Sequence, residues 1–333
     1  MKINFQHKQA AHCENGVTSN LLNFYGLKIN EPLAFGIGSG LFFSYMPFIK
    51  LNGLPVVSFR PWPGLIFKRV TKRLNFKIKF EKYSDKNKAM NDLDKYLQNG
   101  TPVGMLVGVF NLPYFPTEYR FHFNAHNIVA FGKENNSYFI SDPVMENIET
   151  LSYDELLKVR YAQGTYPPTG RMYHVVQPPI NYDLKAAVIK GIKQNCKDML
   201  EIPIPLFGIK GIRYMAKRAR KWDKRLGEKK ASLYLGQIIR MLEEIGTGGA
   251  GFRFIYAAFL QEAAGILNID ELNSLSTEMT QAGDRWREFA FLSAKNLKKR
   301  GNEFTQYPLL ADILIDIANR EEKIFRRLKE IIK

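Results

Sequence analysis

Residues 126–143 read HNIVAFGKENNSYFISDP, two apolar runs separated by the polar stretch KENNS. Runs of β-branched and aromatic residues on either side of a short polar turn predict a β-hairpin. That single motif constrains the fold strongly. Antiparallel pairing sets the start of one strand beside the end of the next, so His126 and Asp142 are expected as near neighbours. PVGMLVGVF, residues 102–110, reads as a further strand, and MNDLDKYLQNG before it as a short amphipathic helix ending at Gly100. Upstream, the stretch through FRPWPGLIF is expected to be loop-rich, because its prolines disfavour regular structure.

Beyond QPPINY the texture changes. Pro178 and Pro179 mark a linker, and the segments LGQIIRMLEEIG, FRFIYAAFLQEAAGIL and YPLLADILIDIANREEKIFRRLKEIIK carry apolar residues at three-to-four spacing. A chain of 333 residues exceeds one core of average size. The expected organisation is therefore a mixed α and β domain over 1–180 with an antiparallel sheet, and an all-α domain over 181–333. The longest apolar run, LAFGIGSGLFFSYMPFI, is broken by glycines, serines and a proline and makes a poor membrane span. The amino terminus MKINFQHKQ lacks a secretory apolar core, so a cytoplasmic location is the expectation.

Only two cysteines occur, Cys13 and Cys196, too few for a disulfide framework. Cys13 stands where a helix is expected to begin: Val17, Leu21, Phe24 and Tyr25 follow at helical spacing, and Gly26 is the expected stop. Helix amino termini favour a thiolate, because free N–H groups and the helix dipole stabilise negative charge. Thiol catalysis also needs a base and a group that orients the base. Of the five histidines, His126 opens a strand and has Asp142 expected beside it. His12 adjoins Cys13, yet consecutive side chains on a helix diverge by about 100°, which argues against it as the base. The candidate array is Cys13, His126 and Asp142. Gln9, His12 and Asn15 are candidates for oxyanion or substrate contact, and Gln6 and His7 share the same short segment. No metal site is expected. Cys196, in the charged stretch IKQNCKDML, is expected to be structural. Gly36, Gly38 and Gly40 lack the lysine of a phosphate-binding loop and are expected to allow close backbone packing beside the cysteine-bearing helix.

The segments HCENG, AFGIGSGLFFSY, TPVGMLVGVFNLPYF, HNIVAFG and YFISDP resemble the butirosin biosynthesis protein H amino-terminal family. That family is similar to papain-like and double-glycine-cleaving cysteine peptidases. The helical remainder, with GGAGFRFIYAAFLQEAA, resembles the domain of unknown function often attached to it. The resemblance implies an α+β, papain-like amino-terminal domain with Cys13 as nucleophile, His126 as base and Asp142 orienting it. It further implies acyl transfer from a carrier-protein thioester to an amine or hydroxyl of a small acceptor, as in specialised metabolite biosynthesis. No cofactor would be bound; the phosphopantetheine would belong to the partner carrier. A papain-like enzyme also places a glutamine upstream of its cysteine at the oxyanion, a part for which Gln9 is the preferred candidate. A cysteine peptidase or amidase with the same residues, and a non-catalytic anion-binding protein, are the alternatives.

The formal charge is +16, from 48 Lys and Arg against 32 Asp and Glu. Ten of the cations fall in KGIRYMAKRARKWDKRLGEKK, residues 210–230. Such a run is either a solvated face or a docking surface, and an acidic acyl carrier protein is the expected partner for the second case. Nucleic acid is not expected, because no recognised module accompanies the charge and few aromatics are interleaved with it.

Overall fold

The structure is a computed structural model that describes residues 2–51, 53–298 and 306–332. In chain order its first elements are α1 (Cys13–Phe24), α2 (Glu31–Ile37), β1 (Ser44–Leu51), β2 (Leu54–Ser58), α3 (Leu65–Arg73), β3 (Lys77–Glu81) and α4 (Lys86–Gln98). β4 (Val103–Val107), β5 (His126–Glu134), β6 (Ser137–Ser141), β7 (Glu149–Ser152), α5 (Tyr153–Arg160) and β8 (Met172–Gln177) follow. The remainder is helical: α6 (Leu184–Leu200), α7 (Gly208–Ala219), α8 (Trp222–Leu226), α9 (Glu228–Ile239), α10 (Arg253–Leu267), α11 (Glu271–Lys298) and α12 (Tyr307–Ile331). The class is α+β, an antiparallel sheet in the amino-terminal part and helices after it.

The chain divides into two compact units, but not at one point. The first comprises 1–34 and 67–183, the second 35–66 and 184–333. The division near 183 lies close to the boundary expected at 180, whereas 35–66 departs from the expected two consecutive segments. The reason is apolar contact. Gly36 lies so close to α10 that a Cβ there would sit 2.0 Å from the Phe259 ring, and a Cβ on Gly191 of α6 would meet the Gly36 carbonyl at 2.4 Å. Gly36 thus serves close packing, but against α6 and α10 rather than beside α1, and a Cβ on Gly40 would meet the Phe35 ring at 2.3 Å.

The first unit is built on a six-stranded antiparallel sheet of order β3-β8-β4-β5-β6-β7. The hairpin expected at 126–143 is its β5–β6 pair. Glu134 pairs with Ser137, and Asn135 takes a left-handed φ of 52°, a conformation that asparagine tolerates well. β5 is buried from His126 to Gly132. Because successive side chains alternate between faces, such a strand is covered on both sides, which explains its unbroken apolar run. Val17 and Leu21 of α1, one helical turn apart, join a core with Met105 and Val107 of β4 and with Ile128 to Phe131 of β5. α4 begins at Asp85, whose carboxylate accepts from the backbone N–H of Asn87 and Lys88, and ends before Gly100 at φ 73°.

In the second unit the expected helices form, and a hairpin not foreseen from the sequence joins them. β1 and β2 pair antiparallel where a loop-rich stretch was expected, and α3 begins directly after the prolines of that stretch. Buried Arg253 donates through Nε and Nη2 to the Glu321 carboxylate at 2.8 and 2.9 Å, and Trp286 Nε1 donates to the same carboxylate at 2.8 Å. Cys196 is buried in α6 with Sγ 3.5 Å from the Phe325 carbonyl, and burial pushes its thiol up to about 12. It is a packing residue. Among the described residues no helix is long and apolar enough to cross a membrane.

Candidate active site

α1 presents Cys13 as its first residue, with His12 at the amino cap. The approach to the helix is fixed by Glu31 of α2, which accepts from the backbone N–H of Ala11 and of His12, both at 2.8 Å. Burial raises the Glu31 carboxyl above its ordinary value while those two bonds oppose the shift. His12 is buried, and its Nδ1 accepts from the Asn15 backbone at 3.4 Å, so the ring caps the helix rather than facing the thiol as a base. Asn15 is fully buried, and its Nδ2 lies 3.5 Å from Glu31. Gln9 is exposed, and no side-chain hydrogen bond ties it to another described residue. His7 reaches the hairpin instead: Nδ1 lies 2.8 Å from the Ser141 hydroxyl and Nε2 3.1 Å from the Met145 carbonyl. Gln6 is exposed.

The hairpin does what its register predicts. Val129 pairs with Ser141, so one further step puts Asp142 across from Ile128, diagonal to His126. His126 Nε2 lies 2.7 Å from Asp142 Oδ2, and both side chains are buried. The other ring nitrogen is left for Cys13, whose side chain interacts with the ring. Burial alone would lower the imidazolium's pKa. The Asp142 carboxylate, then the Cys13 thiolate, and hydrogen bonds to both overcome that and raise it to about 10. The attraction is mutual, so the arrangement suits a thiolate–imidazolium pair.

Residues outside the expected set complete the site. Tyr114 donates to Asp142 Oδ2 at 3.0 Å, and the Val144 backbone N–H reaches Oδ1 at 3.2 Å, so both carboxylate oxygens are held. The Phe115 ring stands edge-on to the His126 ring, with centroids 5.4 Å apart. Asn127 Nδ2 lies 3.9 Å from Cys13 Sγ, and the Tyr173 hydroxyl donates to Asn127 Oδ1 at 2.8 Å. Asn127 adjoins His126 in sequence, a signal that was available; nothing local marked Tyr114 or Tyr173. His122 is exposed and stacked on Phe110 with centroids 4.1 Å apart, so it plays no part beside Cys13. His174 is buried in β8 against Tyr96, and burial lowers its pKa. Gly16 explains how helix and hairpin come so close: a Cβ there would stand 2.3 Å from Pro143 Cβ.

A cysteine at a helix amino terminus, set against a strand-borne histidine and acid from later in the chain, is the layout of a papain-like cysteine enzyme. Residues 12–143 match the family model described as Butirosin biosynthesis protein H, N-terminal, and residues 154–328 match that of the Domain of unknown function (DUF4872). The chain belongs to the DUF4872 family, joined to a butirosin biosynthesis protein H amino-terminal domain. Cys13, His126 and Asp142 all fall within the butirosin biosynthesis protein H match, at or near its ends. A crystal structure described as a C39-like peptidase from Bacillus anthracis aligns at 16% identity with a TM-score of 0.38, over 53% of this chain and 98% of that one. No curated protein matches the chain significantly.

Proposed function

We propose that the protein is an acyltransferase that carries an acyl or aminoacyl group on Cys13. The supporting observation is the buried array itself: a thiol at a helix amino end, interacting with a histidine that is anchored at 2.7 Å to Asp142. The Cys13 thiolate attacks the carbonyl carbon of a thioester, and the bond from that carbon to the leaving sulfur breaks. The departing thiolate takes the proton from His126, leaving an S-acyl enzyme and a neutral imidazole. An amine or hydroxyl of a small acceptor then attacks the acyl carbon as His126 removes its proton, and the Cys13 thiolate leaves. Thioester donor and acyl-enzyme have nearly equal energies, so catalysis rests on positioning and on stabilising the oxyanion.

The donor in this reading is the phosphopantetheine arm of an acidic acyl carrier protein, and the setting is specialised metabolism in the cytoplasm. The cations of 210–230 supply the matching charge. Arg213 and Arg220 are engaged by Glu322 and Asp312, whereas Lys217, Arg218, Lys221, Lys224 and Arg225 stand exposed. Intact-protein mass measurement after mixing with acyl-loaded carrier proteins tests the reading. The expected result is a single acyl adduct on wild type, absent from Cys13→Ala and discharged by an amine acceptor. Hydrolysis of peptides or amides without any transfer would make the same residues a peptidase's or amidase's. No adduct and no hydrolysis would leave an anion-binding protein.

A further inference from the structure

The intermediate formed on Cys13 carries a negative oxygen, and a site of this kind needs a donor aimed at it. Gln9, the side chain expected for that part, is exposed and makes no side-chain hydrogen bond among the described residues. Asn127 is buried, and all three polar positions of its amide are accounted for. Oδ1 accepts from the Tyr173 hydroxyl at 2.8 Å; one Nδ2 proton meets the Ala125 carbonyl at 3.3 Å; the other faces Cys13 Sγ at 3.9 Å. The Ala125 carbonyl can only accept, so it fixes which end of the amide carries the NH₂, and that end faces the sulfur.

We propose that Asn127 is the side-chain donor of the oxyanion hole, aimed by Tyr173. The assignment rests on the reading of Cys13 as the acyl-accepting nucleophile and deepens it. At 3.9 Å the amide is at the far limit of a bond to sulfur, yet well placed for an oxygen on the carbon that sulfur attacks. Tyr173 reaches Asn127 because the strand between them makes room. Tyr173 of β8 pairs with Gly104 of β4, where a Cβ would stand 2.3 Å from Tyr173 Cε2. β4 in turn pairs with β5, so a missing side chain lets the tyrosine ring lie across one strand and reach the next. Tyr173 is thus a positioning residue and Asn127 a catalytic one.

Two reactions of the same sulfur separate this role from others. Attack on a thioester builds an oxyanion; alkylation by iodoacetamide does not. The test compares wild type, Asn127→Ala and Tyr173→Phe for the rate of Cys13 acylation by a small acyl thioester and the rate of alkylation at the same pH, with thermal unfolding as the check on folding. Asn127→Ala is expected to lose about 10²- to 10³-fold in acylation while alkylation stays at the wild-type rate. Tyr173→Phe, which keeps Asn127 but frees its amide to turn, is expected to fall between the two and decides the matter if Asn127→Ala does not fold. Undiminished acylation in a folded variant overturns the assignment. So does a parallel fall in both reactions, since the amide would then serve the thiolate or the packing. A wild type that is alkylated but never acylated removes the parent reading and this one with it, an outcome distinct from acylated wild type with indifferent variants.

Discussion

Replacing Gly16 by alanine sets a local preference against a tertiary contact, and the structure says which prevails. Gly16 lies inside α1, where alanine is favoured over glycine by about 1 kcal/mol. Sequence reasoning alone therefore predicts a more stable protein. The added Cβ, however, would stand 2.3 Å from Pro143 Cβ, 2.7 Å from Ala10 Cβ and 2.9 Å from Pro143 Cγ. Carbon atoms rest at about 3.5–4.0 Å, so more than 1 Å must be found. The neighbours cannot simply part, because the Ala10 N–H donates to the Pro143 carbonyl at 2.7 Å. Overpacking of this kind costs about 1–3 kcal/mol, and loss of that hydrogen bond adds about 1 kcal/mol. After the helix gain is subtracted, Gly16→Ala should destabilise the protein by about 1–3 kcal/mol. The effect should also reach the chemistry, since Pro143 follows Asp142 and a shift of about 1 Å in a catalytic group can cost about 100-fold. Urea unfolding read by fluorescence gives the stability, and iodoacetamide labelling gives the state of Cys13. An alanine variant at least as stable as wild type, with unchanged labelling, would refute the argument.

Three other outcomes are expected. His126 is raised to about 10, so its favourable interactions stabilise the fold fully below the ordinary histidine value and are lost as pH climbs through the raised one. Alkylation of Cys13 should accordingly hold steady from pH 8 down to 6, where His126→Ala should slow as an ordinary thiol with pKa about 8.5 does; a wild-type profile that falls like the variant's contradicts the ion pair. Tyr114→Phe removes one donor from the buried Asp142 carboxylate, and should cost about 1–3 kcal/mol of stability and slow acylation more than alkylation; equal rates and stability would show the hydroxyl to be idle. Glu321→Gln breaks the buried pair with Arg253 and should cost about 3–5 kcal/mol by urea unfolding, with a shift under 1 kcal/mol counting against the pair's importance.

The site was legible where local pattern and strand register sufficed. The β5–β6 hairpin announced itself through a polar turn between apolar runs, and antiparallel geometry alone set His126 beside Asp142. Helix spacing marked α1 and its cysteine in the same way. What escaped was carried by residues distant in sequence. Tyr114 and Tyr173 come from a loop and a far strand, and only the folded sheet brings their hydroxyls to Asp142 and Asn127. The β1–β2 hairpin was a different kind of miss. Its sequence KLNGLP holds an Asn-Gly pair, the strongest short turn signal, and Gly53 does take a φ of 79°, but the neighbouring prolines suggested a loop. The assignment of 35–66 had no local marker at all, because it depends on which helices those residues meet.

That assignment sets an order of events in the cell. Phe43 and Phe59 leave the ribosome more than a hundred residues ahead of α6, in the unit they belong to. At about 5–20 residues per second they wait on the order of 6–28 seconds for it. During translation, then, these two rings are made long before the helices that complete their unit, and stay uncovered until those helices arrive.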